Sequence, residues 1–417
     1  MILTNSLGLL LKTGGGISDY QLLLPEYSLI EGFESVSEWT TDNGTGSNNT
    51  TQFKQGTQSI KLTAQPIAGD TFMSKTGLSL DLSDIQVFRM LIYCHDTNTA
   101  VNAQVRIVLS NDAEFNNYFV YTCPSGNFSP GTQGEAPYWR SINVLRSDFS
   151  SVGSPSWDSS FSVLRIRGIA NEDYNLSLSF DNLIGASAVG ESGIVIAFDD
   201  NRASHYDVAF AYMQPLGLIG THYVITDTAE ALLDLDEMQE MYSAGWDLAN
   251  HTSDHTDLTT LSQAQAQVKI SDAINWLNVH GWTRASHHLG YPYGSFNATV
   301  QAALAAEGML TGRAYISKLV PALPTDEYVI NGWGFESTTT TLAQAKTALD
   351  NAIARGEILC CVFHSLVESP EDENWSIDDF QDFIDYVIAQ NVKSYTINQL
   401  YQLGIGNLIL PIQYLTG

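Results

Sequence analysis

Two textures of hydrophobic and polar residues divide the chain near residue 191. Between residues 31 and 190, short runs such as "QSIKLTA", "FRMLIY", "AQVRIVLS", "YFVYT", "FSVLRIRGI" and "LSLSFDNLIG" mix apolar and polar positions, many with period two. Strand side chains point alternately to opposite faces, so such runs bury one face and expose the other. Thr, Ser, Asn and Gly break the runs at short intervals, the pattern of an antiparallel β-sandwich. From 191 onward the strand-like runs "GIVIAF", "IGTHYVIT", "WDLAN", "ASHHLGYP", "EILCCVFH" and "VKSYTI" alternate with helix-period segments, among them "LSQAQAQVKISDAINWLNVHG", "TLAQAKTALDNAIARG" and "SIDDFQDFIDYVIAQN". That alternation predicts parallel strands joined by crossover helices. The units are too many for a small open sheet, which favours a barrel. The expected fold class is α/β: a distorted (β/α) barrel over residues 191–405, preceded by an antiparallel β-sandwich over 31–190. A lead-in (1–30) and a C-terminal tail (406–417) flank them.

Length supports that division, because 417 residues exceed one typical domain. Charge narrows the partners. Lys and Arg number 18 against 46 Asp and Glu, so the net charge is 18 − 46 = −28. Such a surface repels nucleic acid and anionic lipid, and no run is long enough to span a membrane. Neither nucleic acid nor membrane is expected as a partner. The opening "MILTNSLGLLLKTGGG" has no basic segment ahead of its apolar patch, so no signal peptide is evident. Cys360 and Cys361 sit in an apolar run and read as buried strand residues. Cys94 and Cys123 could pair, which sequence alone does not decide.

The candidate chemistry sits at the ends of predicted strands. "IVIAFDDNR" runs an apolar strand into Asp199 and Asp200. In open α/β sheets and barrels, the C-terminal strand ends carry the chemistry. "ANHTSDHTDL" places His251 and His255 four residues apart, a spacing that brings two imidazoles together if the segment makes a helical turn. Zn²⁺ takes His and carboxylate ligands in catalytic sites and keeps one position open, and Asp200 is the nearest third ligand. "LGYPYGSFN" supplies a stiff turn, and "ILCCVFHSL" ends a strand on a lone histidine, His364.

These four stretches in this order resemble the polysaccharide deacetylase domain, carbohydrate esterase family four. "AFDD" (197–200) resembles the family's first motif. "HTSDH" (251–255) matches its His-Ser/Thr-x-x-His motif together with the trailing Leu258. "GYPYG" (290–294) resembles its Arg-x-Pro-Tyr-Gly turn, and "VFH" (362–364) its last motif. The resemblance covers about 191–402. It implies a divalent cation held by Asp200, His251 and His255: Zn²⁺ is the expected ion, with Co²⁺ or Ni²⁺ as alternatives. It also implies Asp199 as general base, the backbone N–H of Tyr293 at the oxyanion, and His364 as the acid that protonates the leaving group. Two positions depart from the family: Gly290 replaces the Arg before the turn, and Asn201 replaces the Gly after the Asp pair. Either Arg202, Arg284 or Arg313 supplies the missing guanidinium, or no residue does. Asn tolerates the left-handed backbone, so Asn201 costs little. "NGWGFE" with Trp333 is the best candidate for the family's Trp-bearing fourth motif.

The resemblance implies a metal-dependent hydrolase that removes N-acetyl groups from an acetylated, GlcNAc-type polysaccharide. The alternatives are an O-acetyl esterase on xylan or capsular polysaccharide and a non-catalytic glycan-binding protein. No G-x-S-x-G elbow points to a serine esterase. The sandwich resembles a carbohydrate-binding module, with Trp39, Tyr138, Trp139 and Trp157 as sugar platforms or, alternatively, core. The expected location is extracellular or virion-associated, as in a bacteriophage tail protein, and a homo-oligomer is left open. A sequon at Asn250-His251-Thr252 overlaps a proposed ligand, which argues against a glycosylating secretory route.

Overall fold

The computed structural model describes residues 27–64, 70–95, 104–123, 139–169, 176–320 and 326–403. The expected tail (406–417), most of the lead-in, and Tyr138 lie outside them. The described part comprises a two-sheet antiparallel sandwich and a closed parallel barrel.

Twelve strands build the sandwich: β1 (Tyr27–Glu31), β2 (Thr40–Asp42), β3 (Thr45–Asn49), β4 (Ser59–Ala64), β5 (Asp70–Leu80), β6 (Val87–Cys94), β7 (Gln104–Ser110), β8 (Tyr118–Cys123), β9 (Trp139–Leu145), β10 (Ser150–Val152), β11 (Phe161–Ile169) and β12 (Leu176–Ala186). One sheet runs β3-β4-β12-β6-β9, with β1 also on β12; the other runs β10-β8-β7-β11-β5-β2. The first strand begins at Tyr27, ahead of the boundary expected at 31. Alternation does what it predicts: Ile107 and Leu109 of β7 and Leu164 and Ile166 of β11 enter the core between the sheets. Of the aromatic residues read as sugar platforms or core, Trp39 stacks on Phe33 inside the core and Trp157 stacks on Phe119 with ring centroids 4.1 Å apart. Trp139 is buried on the other face of its sheet, against Tyr93, with ring centroids 5.5 Å apart.

The barrel strands are β13 (Gly193–Asp199), β14 (Thr221–Val224), β15 (Asp247–Asn250), β16 (Ala285–Gly290), β17 (Thr311–Tyr315), β18 (Ile330–Gly334) and β19 (Ile358–Phe363). They pair in parallel in that order, and β13 closes the ring by pairing with both β14 and β19. Helices pack outside, notably Gln263–Val279, Leu342–Arg355 and Ile377–Ala389. Ser262, Thr341 and Ser376 each cap one of them by accepting the N3 backbone N–H, which fixes where these helices start.

Strands buried on both faces read as continuous apolar runs, as "GIVIAF" does. Their period of two still sorts the side chains. Ile194, Ile196 and Phe198 pack outward against the helices, whereas Val195 and Ala197 fill the barrel interior. Asp199 is next in the inward register. The same counting carries Ala249 to His251, Cys360 and Val362 to His364, and Arg313 to Tyr315. Side chains from four strands thus converge at the C-terminal mouth.

Candidate active site

At the end of β13 the backbone turns through two successive left-handed residues, Asp200 (φ 76°) and Asn201 (φ 53°). The reversal aims the adjacent carboxylates differently. Asp199 stays on the strand's inward face, 3 % exposed, while Asp200 swings to the histidines. Asn201 is buried; its Nδ2 donates to the Ile225 carbonyl at 2.7 Å. The left-handed conformation expected to be tolerable at Asn201 is therefore the one adopted.

The "HTSDH" segment is not a helical turn, contrary to the geometry expected from its spacing. Thr252 (φ 65°) and His255 (φ 61°) are left-handed. The Thr252 N–H donates to Asn250 Oδ1 at 2.8 Å, and the His255 N–H to Thr252 Oγ1 at 3.0 Å. The buried Asn250 is itself fixed by donating to the Ile270 carbonyl at 3.1 Å. Side-chain bonds to the local backbone have displaced the helical pattern. The strand end delivers His251, and the folded loop brings His255 back beside it, ring centroids 4.8 Å apart.

Asp200, His251 and His255 offer ligand atoms that all lie within 4.8 Å of one another. Asp200 Oδ1 is 3.4 Å from each Nε2. It is buried and accepts no hydrogen bond, an orphan that a divalent cation would satisfy. The Nδ1–H of His251 donates to the Gly290 carbonyl at 2.8 Å, which leaves Nε2 as the lone-pair nitrogen facing Asp200. Burial opposes ionisation of Asp200, but the imidazoles of His251, His255 and His364 outweigh it and hold the carboxyl well below its ordinary value. Burial, then His251, pushes His255 toward the neutral form. A carboxylate with two imidazoles is a donor set suited to Zn²⁺ or a similar ion.

Arg313 supplies the guanidinium missing at position 290. Its Nη2 donates to both oxygens of Asp199, at 2.8 and 2.7 Å, and the residue is fully buried. It stacks over the Tyr223 ring at 4.6 Å. Gly290 makes the room: a Cβ there would lie 2.5 Å from Arg313 Nη2. The other two candidates go elsewhere. Arg284 pairs with Asp247, and Arg202 lies 3.4 Å from both Asp200 and Glu373 at the rim.

His364 sits opposite, its Nε2 3.8 Å from Asp200 Oδ2 and its buried Nδ1 without a partner. Its carbonyl accepts from His205 Nε2 at 3.1 Å; His205 in turn meets His222 at 3.1 Å, and both rings are fully buried. Sequence reading passed over this pair, though "THYVIT" and "SHYDV" each place one polar ring in an apolar setting. Tyr293 lies at the open rim, 69 % exposed and left-handed (φ 59°), its ring 4.6 Å from that of His255. Trp333 does not join the site; it packs in the layer between barrel and helices.

Residues 186–311 match the family model described as "Polysaccharide deacetylase". This segment belongs to the polysaccharide deacetylase family. The matched part of the deacetylase domain contains Asp199, Asp200, His251, His255 and Tyr293, whereas Arg313 and His364 lie beyond it. The chain is 26 % identical over 109 residues to the "Putative polysaccharide deacetylase YxkH" of Bacillus subtilis (strain 168). That alignment covers 26 % of this chain and 39 % of the relative. Among solved structures, the deacetylase domain is similar to a family 4 carbohydrate esterase from Streptomyces lividans in complex with acetate: 18 % identity, TM-score 0.37, 50 % of this chain and 93 % of that one. It is also similar to the peptidoglycan deacetylase PdaC of Bacillus subtilis: 15 % identity, TM-score 0.38, 51 % of this chain and 91 % of that one.

Proposed function

We propose that the protein is a metal-dependent hydrolase that removes acetyl groups from an acetylated polysaccharide, with the N-acetyl group of a GlcNAc-type glycan as its target. The observation that carries this reading is the convergence of the orphaned Asp200 Oδ1 with two imidazole nitrogens, beside an arginine-held carboxylate and across from a third imidazole. Asp200, His251 and His255 would hold a divalent cation, which would supply Lewis acidity for the water and the acetyl carbonyl. Asp199, oriented by Arg313, takes the proton from the attacking water. The oxygen of the acetyl carbonyl gains negative charge, and the backbone N–H of Tyr293 is the nearby donor assigned to it. His364 gives a proton to the amine nitrogen as the C–N bond breaks, which an amine leaving group requires. The products are acetate and the free amino sugar. A substrate of this kind puts the site of action at a cell envelope or on a virion.

Acetate release from chitooligosaccharide and from acetylated xylan, before and after metal stripping and Zn²⁺ addition, tests the reading. Release from the chitooligosaccharide that vanishes on stripping and returns with Zn²⁺ is expected. Preferential release from xylan would favour an O-acetyl esterase. Asp199→Asn should retain bound metal by elemental analysis yet lose about 10²–10⁴-fold in turnover; near-normal turnover would remove Asp199 as base.

A further inference from the structure

The solvent side of the sandwich sheet β10-β8-β7-β11-β5-β2 carries a cavity of about 420 Å³ far from the barrel mouth in sequence. Arg106, Arg165, Arg167, Phe72, Phe115 and Tyr118 line it. The strand period explains the cluster: Ile107 and Leu109 point into the core, so Arg106 points out, and likewise Ile166 is in while Arg165 and Arg167 are out. Register then sets Arg106 of β7 directly opposite Arg167 of β11, with Phe72 next along the same row. Like charges directly opposite on antiparallel strands are destabilising. The fold here keeps such a pair in a chain with only 18 Lys and Arg against 46 acidic residues.

The guanidiniums are positioned rather than free. Arg165 lies 3.5 Å over the Phe115 ring and 4.8 Å from Phe72, and its Nε donates to Ser74 Oγ at 2.8 Å. Arg167 pairs with Asp70 and faces Phe72 at 5.5 Å. Arg106 Nη2 is 3.5 Å from Gln104 Oε1. Asp42 acts on Arg165 from β2, one strand beyond β5. Three cations thus face two carboxylates, and the Nε donors of Arg106 and Arg167 are buried with no hydrogen-bond partner. Buried donors on paired cations favour an oxyanion, which guanidiniums grip through directed N–H bonds.

We propose that this face is a second, non-catalytic glycan site that takes an acidic sugar unit, one bearing a carboxylate, sulfate or phosphate. The choice of a sugar as carrier of the oxyanion rests on the deacetylase reading; the anionic chemistry does not. A polymer of this kind would be recognised locally against a repulsive global field, and salt acts on the two in opposite directions, screening the arginine contacts and relieving the repulsion.

Affinity electrophoresis and calorimetry of the full chain test this with polygalacturonate (carboxylate), dextran sulfate (sulfate), a glycerol-phosphate teichoic acid (phosphate), and neutral chitohexaose and dextran. Retardation by at least one anionic polymer and none by neutral dextran is expected. Arg106→Gln should raise the dissociation constant about tenfold, the loss of one charge-assisted bond. The exposed Thr122, cross-strand from Arg106, gives a variant that leaves the core alone: Thr122→Asp should weaken binding equally with an unchanged melting temperature. Binding indifferent to both substitutions, or retardation by none of the anionic polymers, overturns the proposal. Acetate release measured on the same samples separates the two readings, since loss of deacetylation with binding intact strikes only the catalytic one.

Discussion

Asp199 and Arg313 form a buried ion pair joined by two hydrogen bonds. Removing one member of such a pair typically costs about 3–5 kcal/mol. Arg313→Ala should therefore lower both the melting temperature and turnover. Adding Gly290→Arg to that variant should recover part of the turnover, because a guanidinium from position 290 reaches the same space. His364 calls for a different readout. As the acid, it matters for an amine and little for an activated alcohol, so His364→Ala should slow amide substrates far more than activated esters while bound metal is unchanged. Equal losses on both, with a lowered melting temperature, would make His364 a packing residue. The His205–His364 bond gives a companion variant: His205→Phe removes the donor to the His364 carbonyl and should lower kcat without altering KM.

Among the elements, the loop after β15 depends most on one side chain. Asn250 accepts from Thr252 and donates to Ile270, both fully inside the protein. Asn250→Ala would leave a buried N–H unpaired, a cost of about 1–3 kcal/mol, and would release the turn that folds His255 back. Metal affinity should fall about 10–100-fold, as for other supports behind a ligand; calorimetry with Zn²⁺ checks it. This loop marks a boundary of what sequence can tell. The strands were legible because apolar runs of this length have few competing uses, and their ends marked Asp199, Asp200 and His364; the inward register that Asp199 and His364 share came only with the structure. The His pair was legible as a pair, but its cause was not. Helical spacing and a side-chain-braced loop produce the same juxtaposition, and the Asn250 and Thr252 bonds that decide between them depend on Ile270, twenty residues away in sequence. The tryptophans stayed open between sugar platform and core for a related reason: composition does not tell a wet aromatic from a packed one. Arg313 was visible only as one of three arginines, since its selection requires the register of β16 against β17.

Sandwich and barrel meet across a polar seam. Arg355 forms two hydrogen bonds to Asp148, at 2.9 and 3.3 Å, and Asn143 donates to Glu357 at 2.5 Å. Burial pushes the Glu357 carboxyl up to about 7, against the opposing pull of Asn143, Arg355 and Arg89. The folded chain therefore holds a proton that the unfolded chain releases above its ordinary value of 4.5. That contribution to stability is complete below 4.5 and is lost as pH rises through 7. Asp181, raised to about 7 chiefly by burial, acts with the same sign. Melting temperatures between pH 5 and 8 should fall less steeply with pH in Glu357→Gln than in the parent; identical slopes would show that the seam carboxyl is already ionised.

The close fit of Gly290 and Arg313 also couples the two positions energetically. A Cβ at 290 would lie 2.5 Å from Arg313 Nη2 and 2.9 Å from Tyr223 Cδ1, so any side chain there requires both neighbours to move. Losing Arg313 takes from Asp199 its ion-pair partner. The costs of changes at 290 and 313 should therefore not add: once one has been made, the other is met in a different environment.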